Sequence, residues 1–514
     1  MKKKILYIPL DERPCNYDYP LRLFENHKSI KVTYPPKKLL SHKKKAANVE
    51  DLRNFILENI QGVDILIYSS EMLVYGGLLP SRIYSVSKQK PNIIEYINFI
   101  KSLKKQCPKL LIYVSNLIMR TPKYNSDDEE PEYYANYGSK IFKYGWLLDK
   151  EKRADLSVEE QNEKNDIASD IPREIRMDYE KRRKINLKVN LVNINLVKEG
   201  RISYLAIPQD DSATFGYTAM DQAKVYSEIK CERLQDKVSV YPGADESGYT
   251  LLSRAIQTIE GYSLKIFPIF SSDIGKLQIP LYEDRPLCES LKSHVLAAGA
   301  NLVYSPEEAD IILAVNTPGE KMIEANLQQV SPDLTYDTFR NLRSFVATIN
   351  YYIELGKSVV LADCAFANGA DLELISMLDE KKIVKNLIAY RAWNTTCNTL
   401  GSSISAAVIL YSEPRPKKNE ELVKTLLDDG LYQAVVRSEI TQELDSTDAD
   451  YFNLGNQTQK VIYKTESSIK DNAKKYLRNS LTIKDLERLK IEFPWNRMFE
   501  INCILKNRGV NNGK

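Results

Sequence analysis

Ten short runs rich in Ile, Val, Leu and Tyr recur along the chain, closed by polar, Gly or Pro residues and mostly separated by helix-length stretches. They occupy 4–9, 30–34, 63–69, 110–115, 203–208, 238–242, 264–270, 310–315, 357–362 and 386–391, that at 30–34 being the weakest. Such alternation predicts parallel β/α units. Several runs are apolar throughout instead of alternating, as expected of strands covered by helices on both faces. The fold class read from this pattern is α/β, with a TIM-like barrel as the leading arrangement and two doubly wound α/β lobes as the alternative.

Two stretches break the rhythm. Residues 123–200 are charged and Tyr-rich, and predict a helical insertion; from about 415 the chain turns helical and polar before an Asn- and Gly-rich tail at 507–514. The organisation expected is therefore first β/α units at 1–122, the insertion at 123–200, remaining β/α units at 201–414 and a C-terminal helical region at 415–514.

Composition removes whole classes of function. Lys+Arg 72 against Asp+Glu 69 leaves a net charge of +3, so nothing calls for a nucleic-acid partner. No apolar run reaches the roughly 18 residues of a membrane span, and the early strand leaves no room for a signal-peptide core; a cytoplasmic protein is expected. The seven cysteines are scattered without a Cys-x-x-Cys pair, and the three histidines, His27, His42 and His294, have no metal-ligand or charge-relay spacing. Phosphate-loop, dinucleotide, nucleophile-elbow and zinc-protease motifs are absent from the sequence. No cofactor and no metal is assigned, and oligomeric state is left open.

The chemistry is expected at the carboxyl ends of the strands, where both barrels and open α/β sheets hold ligands. Asp11, Glu12 and Arg13 follow the first run; Tyr75 and Arg82 follow 63–69; Asn116 and Arg120 follow 110–115; and Asp210 with Asp211 follows 203–208. Asp245 and Glu246 come after 238–242, Asp363 after 357–362, and Trp393, Asn394 and Asn398 after 386–391. A single Asp or Asn at such a place is ordinarily a helix cap. Adjacent acids at three strand ends exceed what a cap needs.

Convergent carboxylates suit glycosidic acid/base work, a hard cation or a cationic substrate. The accompanying amides, hydroxyls and aromatics favour a saccharide. The leading expectation is a glycosidase-like, carbohydrate-active hydrolase with Asp210, Asp211, Asp245 and Glu246 catalytic and the other residues binding substrate. The alternatives are a divalent-metal-dependent hydrolase or isomerase using the same acids, and a non-enzymatic saccharide-binding protein. Asp211 or Glu246 should hold a proton at raised pKa while Asp210 stays ionised against a donor such as Arg13 or an asparagine.

Asp11-Glu12-Arg13-Pro14, Tyr75-Gly76-Gly77-Leu78, Gln209-Asp210-Asp211-Ser212, Gly243-Ala244-Asp245-Glu246, Trp393-Asn394-Thr395 and Pro494-Trp495-Asn496-Arg497 together resemble a bacterial family catalogued as domain of unknown function 4127. That resemblance spans nearly the whole chain and implies no activity. A second, mechanistic likeness is to substrate-assisted N-acetylhexosaminidases, in which an acidic pair ends the fourth barrel strand. Counted from the strong runs alone, the run before Asp210 and Asp211 is also fourth.

Overall fold

A computed structural model of the chain describes residues 2–84, 91–331, 333–444 and 448–506; the Asn- and Gly-rich tail lies outside them. It divides into two compact units, Met1–Ile259 with Tyr282–Arg285, and Glu260–Leu281 with Pro286–Lys514. The chain thus enters the second unit, returns to the first for four residues and then stays in the second.

The first unit is built on six parallel strands: β1 (Lys3–Ile8), β2 (Ile30–Thr33), β3 (Ile65–Ser69), β4 (Leu111–Ser115), β5 (Tyr204–Gln209) and β6 (Val238–Pro242), in the order β2-β1-β3-β4-β5-β6. The second holds β7 (Lys265–Phe270), β8 (Asn301–Leu302), β9 (Ile311–Asn316), β10 (Ser358–Asp363) and β11 (Ala389–Arg391), in the order β11-β10-β9-β7-β8. Every ladder in both sheets is parallel. Each order reverses once beside its first strand, as in doubly wound open sheets.

The closed barrel is therefore not found. Among the described residues β6 pairs only with β5, and β7 begins a separate sheet. The uniformly apolar runs do sit as expected: every residue of β3, β5 and β9 is buried. A barrel and a helix-covered open sheet bury a parallel strand alike, which is why the pattern could not separate them. The weak run at 30–34 is a true edge strand, so the strand carrying Asp210 and Asp211 is fifth, not fourth, in chain order.

The segments after β1 and β6 meet although the strands are four places apart in the sheet. Four strand spacings of about 4.8 Å would hold β1 and β6 about 19 Å apart. Yet a Cβ on Gly248, in the helix Ser247–Glu260 after β6, would collide with the hydroxyl of Tyr7 on β1. The helix after β6 thus reaches across to β1, and the segments that follow the two strands meet.

The insertion is helical: Tyr134–Arg153, Val158–Asp170 and Arg173–Lys198. Ser157 and Glu160 form a reciprocal capping box at the start of the second. The third helix lays an asparagine stripe against the sheet's carboxyl edge. Asn186 donates to Ser81 O, Asn190 to Asn116 O and Leu117 O, and Asn193 to Asn116 Oδ1 at 2.9 Å.

In the second unit the C-terminal region is helical as expected, including eleven buried residues wound as a π-helix, Leu426–Val436. It also contains a hairpin of β12 (Leu489–Glu492) and β13 (Asn502–Leu505). Among the described residues no helix is long and apolar enough to cross a membrane.

Candidate active site

At the end of β1 the chain turns sharply and presents a buried arginine. Arg13 is 3 % exposed; its Nε donates to Asp11 Oδ2 at 2.9 Å and its Nη2 pairs with Asp245 Oδ1 at 2.5 Å. Asn16 Nδ2 donates to Asp11 Oδ1 at 3.0 Å, and the Tyr7 hydroxyl donates to Asn16 O at 2.7 Å. One guanidinium thus ties the segment after β1 to that after β6. Its two carboxylates compensate it closely, an arrangement that is costly to break.

Glu246, the neighbour of Asp245, is in a different state. Its Oε2 accepts from Ala244 N at 2.9 Å, its Oε1 lies over Gly243 where a Cβ would strike it, and the residue is 2 % exposed. Burial pushes its carboxyl up to about 8, with Asp245 and Glu283 adding to the rise. Glu246 is therefore neutral near pH 7.

The second cluster gathers at the ends of β4 and β5 and the start of the insertion. β5 ends at Gln209, and Asp211 adopts a left-handed backbone, φ 44, which Asp tolerates better than most residues. This frees the two acids from opposite faces of the strand. Asp210 Oδ2 pairs with Arg82 Nη2 at 2.5 Å, and Asp211 Oδ2 meets Arg120 Nη1 at 3.4 Å. The two arginines share two further acids: Glu129 pairs with Arg82 at 2.9 Å and Arg120 at 2.8 Å, and Glu130 with Arg120 at 2.8 Å and Arg82 at 3.5 Å. Four carboxylates thus face two guanidiniums, with the Tyr124 hydroxyl 3.1 Å from Arg120. Burial and then Asp210 push the Asp211 carboxyl up to about 6.

Between these clusters lies the returning segment Tyr282–Arg285. Arg285 donates to Gln209 Oε1 at 2.7 Å, Gln222 donates to Asp284 at 2.9 Å, and Ser212 Oγ to Tyr282 O at 3.4 Å.

Other expected site residues of the first unit have partners that tie down loops or core. Glu12 accepts from Ser41 Oγ and Lys43 N, each at 2.8 Å. Asn116 donates to Glu71 Oε1 at 2.8 Å and accepts from Asn193, joining β3, β4 and the insertion; burial raises the Glu71 carboxyl. Tyr75 is buried against Tyr84, ring centroids 5.3 Å apart.

In the second unit Asp363 ends β10. It accepts from Asn316 Nδ2 at 2.9 Å and from Asp371 N at 2.8 Å, and burial followed by Asp371 pushes it up to about 7. Trp393 accepts from Thr399 Oγ1 at 3.0 Å, Asn394 (φ 60) accepts from Asn368 N at 2.8 Å, and Asn398 donates to Thr395 Oγ1 at 2.9 Å. These three shape the turn into the helix Thr396–Leu410.

Asp11, Asp210 and Asp245 therefore share the carboxyl edge of the first sheet, while Asp363 and Asn394 follow strands of the second. Sequence reading missed Glu129 and Glu130. They lie in a run of acids, Asp127-Asp128-Glu129-Glu130, which ordinarily marks a solvated surface; Glu130 is 1 % exposed. Among the described residues no group of three or more His, Cys, Asp or Glu is disposed to hold a metal ion.

A family model described as a protein of unknown function, DUF4127, matches residues 5–503. No curated protein matches the chain.

Proposed function

We propose that this chain, which belongs to the DUF4127 family, is a hydrolase of a polar saccharide that uses Asp211 as proton donor and Asp210 as a fixed carboxylate. The observation that carries this reading is the contrast between the two neighbours. Asp210 is clamped by Arg82 at 2.5 Å, whereas Asp211 has the longer 3.4 Å contact with Arg120 and a carboxyl pushed up to about 6. An ion-paired carboxylate beside one whose pKa is raised divides the roles of anion and acid between the two neighbours. The surrounding carboxylates, guanidiniums and tyrosine hydroxyl suit a ligand presenting many hydroxyls.

In this reaction neutral Asp211 gives its proton to the glycosidic oxygen as the bond to the anomeric carbon breaks, the bonding pair leaving with that oxygen. The anionic Asp210 offsets the positive charge developing at carbon. Water then adds there and loses a proton to Asp211, which restores the acid. Glu246, closed in against Gly243, acts by shaping the turn after β6.

The test is a chromogenic glycoside screen on the purified chain, with and without chelator. Turnover should survive chelator and fall as pH rises through about 6, because the donor must be protonated. Asp211→Asn should lower it on the order of a hundredfold. Near-normal turnover of Asp211→Asn on a confirmed substrate refutes the assignment; loss of wild-type turnover on chelation points to a metal-dependent enzyme.

A further inference from the structure

The second unit carries a half-open cavity of about 370 Å³, towards the small end of the roughly 300–1,000 Å³ typical of small-molecule sites. Its walls come mainly from segments that follow β9 and β10, the edge at which open parallel sheets hold ligands.

Arg340 lines this cavity and is 6 % exposed. Its Nε donates to Tyr336 O at 2.9 Å and its Nη1 to Asn316 Oδ1 at 3.2 Å and Asp371 Oδ2 at 2.6 Å. The Tyr336 ring centroid lies 4.7 Å from the guanidinium carbon. The group is thereby fixed in one orientation. Its Nη2 donates to no acceptor among the described residues. It is not one of the fully buried unpartnered atoms, so it stays open to solvent in the cavity wall, where an acceptor can replace water on it.

The rest of the lining carries the opposite sign. Asp371 balances Arg340, and Asp333, Asp337 and Glu373 have no Lys or second Arg beside them in the wall. Asp337 and Glu373 are exposed. Partial burial, then Asp371 and Asp337, raise the Glu373 carboxyl, so these acids feel one another.

A fixed guanidinium with one open Nη2 and carboxylates at the rim without a Lys or second Arg beside them match a ligand with both signs. We propose that this cavity binds a small zwitterion, a free α-amino acid, with its carboxylate on Arg340 Nη2 and its ammonium between Asp337 and Glu373.

Titration calorimetry of the full chain with each common L-amino acid, and with the amide and N-acetyl derivative of the best binder, tests this. At least one amino acid should bind. Its amide, without the carboxylate, and its N-acetyl form, without the ammonium, should each bind on the order of tenfold more weakly. Asp337→Asn and Glu373→Gln lie at exposed positions, keep the fold by circular dichroism, and should each weaken the free amino acid about threefold to fivefold while leaving the N-acetyl form unchanged. Absence of binding by every amino acid, equal binding of the three forms, or full affinity in the Asp337→Asn/Glu373→Gln double variant overturns the proposal.

Discussion

Glu246→Gln isolates the electrostatic cost of one buried acid. In the folded chain its carboxyl titrates near 8 against an ordinary 4.5. Because the folded value is raised, the native state keeps a proton that the unfolded chain has released. The group's contribution to stability is thus fully present below about 4.5 and is lost as pH rises towards 8. At about 1.4 kcal/mol per pH unit, the loss between about pH 5 and about pH 7.5 is about 3 kcal/mol. Glutamine preserves the shape, can still accept from Ala244 N through its carbonyl oxygen, and does not titrate. Whatever fixed change it brings, its stability relative to the parent should therefore improve by about 3 kcal/mol across that interval. Urea unfolding of both proteins at the two pH values, followed by a probe of the first unit, measures this difference. A difference that stays constant with pH, within about 0.5 kcal/mol, would mean that Glu246 is ionised in the native state and that the reasoning fails.

Other perturbations follow from the same contacts. Arg82→Met removes the clamp on Asp210, Glu129 and Glu130 and should destabilise the first unit by about 3–5 kcal/mol in chemical unfolding; a loss under about 1 kcal/mol would show that these acids need no counter-charge. Gly76→Ala places a Cβ 2.6 Å from Ala47 O at φ 81 and should cost at least about 2 kcal/mol, read as a lowered melting temperature. Asp363, raised to about 7 from 3.8, loses its stabilising contribution as pH rises through that window. Asp363→Asn should therefore gain on the parent between about pH 4 and pH 7, and a gain confined to higher pH would contradict it.

All ten apolar runs became strands, because continuous Ile/Val/Leu runs between turn residues leave few alternatives. Three strands escaped notice for distinct reasons. Asn301–Leu302 is two residues long, and the Leu489–Glu492 and Asn502–Leu505 pair lies among polar helices where four-residue alternation carries little signal. Sheet closure was beyond reach, since it depends on whether β6 finds β1 or ends as an edge. In the site the acids were legible and their partners were not. Asp210 was expected against Arg13 or an asparagine and instead meets Arg82, 128 residues away; Arg13 spans 232 residues to Asp245. Such pairings are set by strand order, and nothing local in the sequence announces it.

The four residues that return to the first unit impose an order on synthesis. Gln209 leaves the ribosome 76 residues before its partner Arg285, and β6 is complete about 43 residues before it. At about 5–20 residues per second, the edge beside Asp210 waits about 2–9 s for its closing segment. During that interval the nascent first unit has its whole sheet but not Asp284 to hold Gln222 or Arg285 to hold Gln209. A chain stopped at Ile259 would remain in that state, so a fragment cut at this boundary would keep the acids yet lose the segment that braces the strand carrying them.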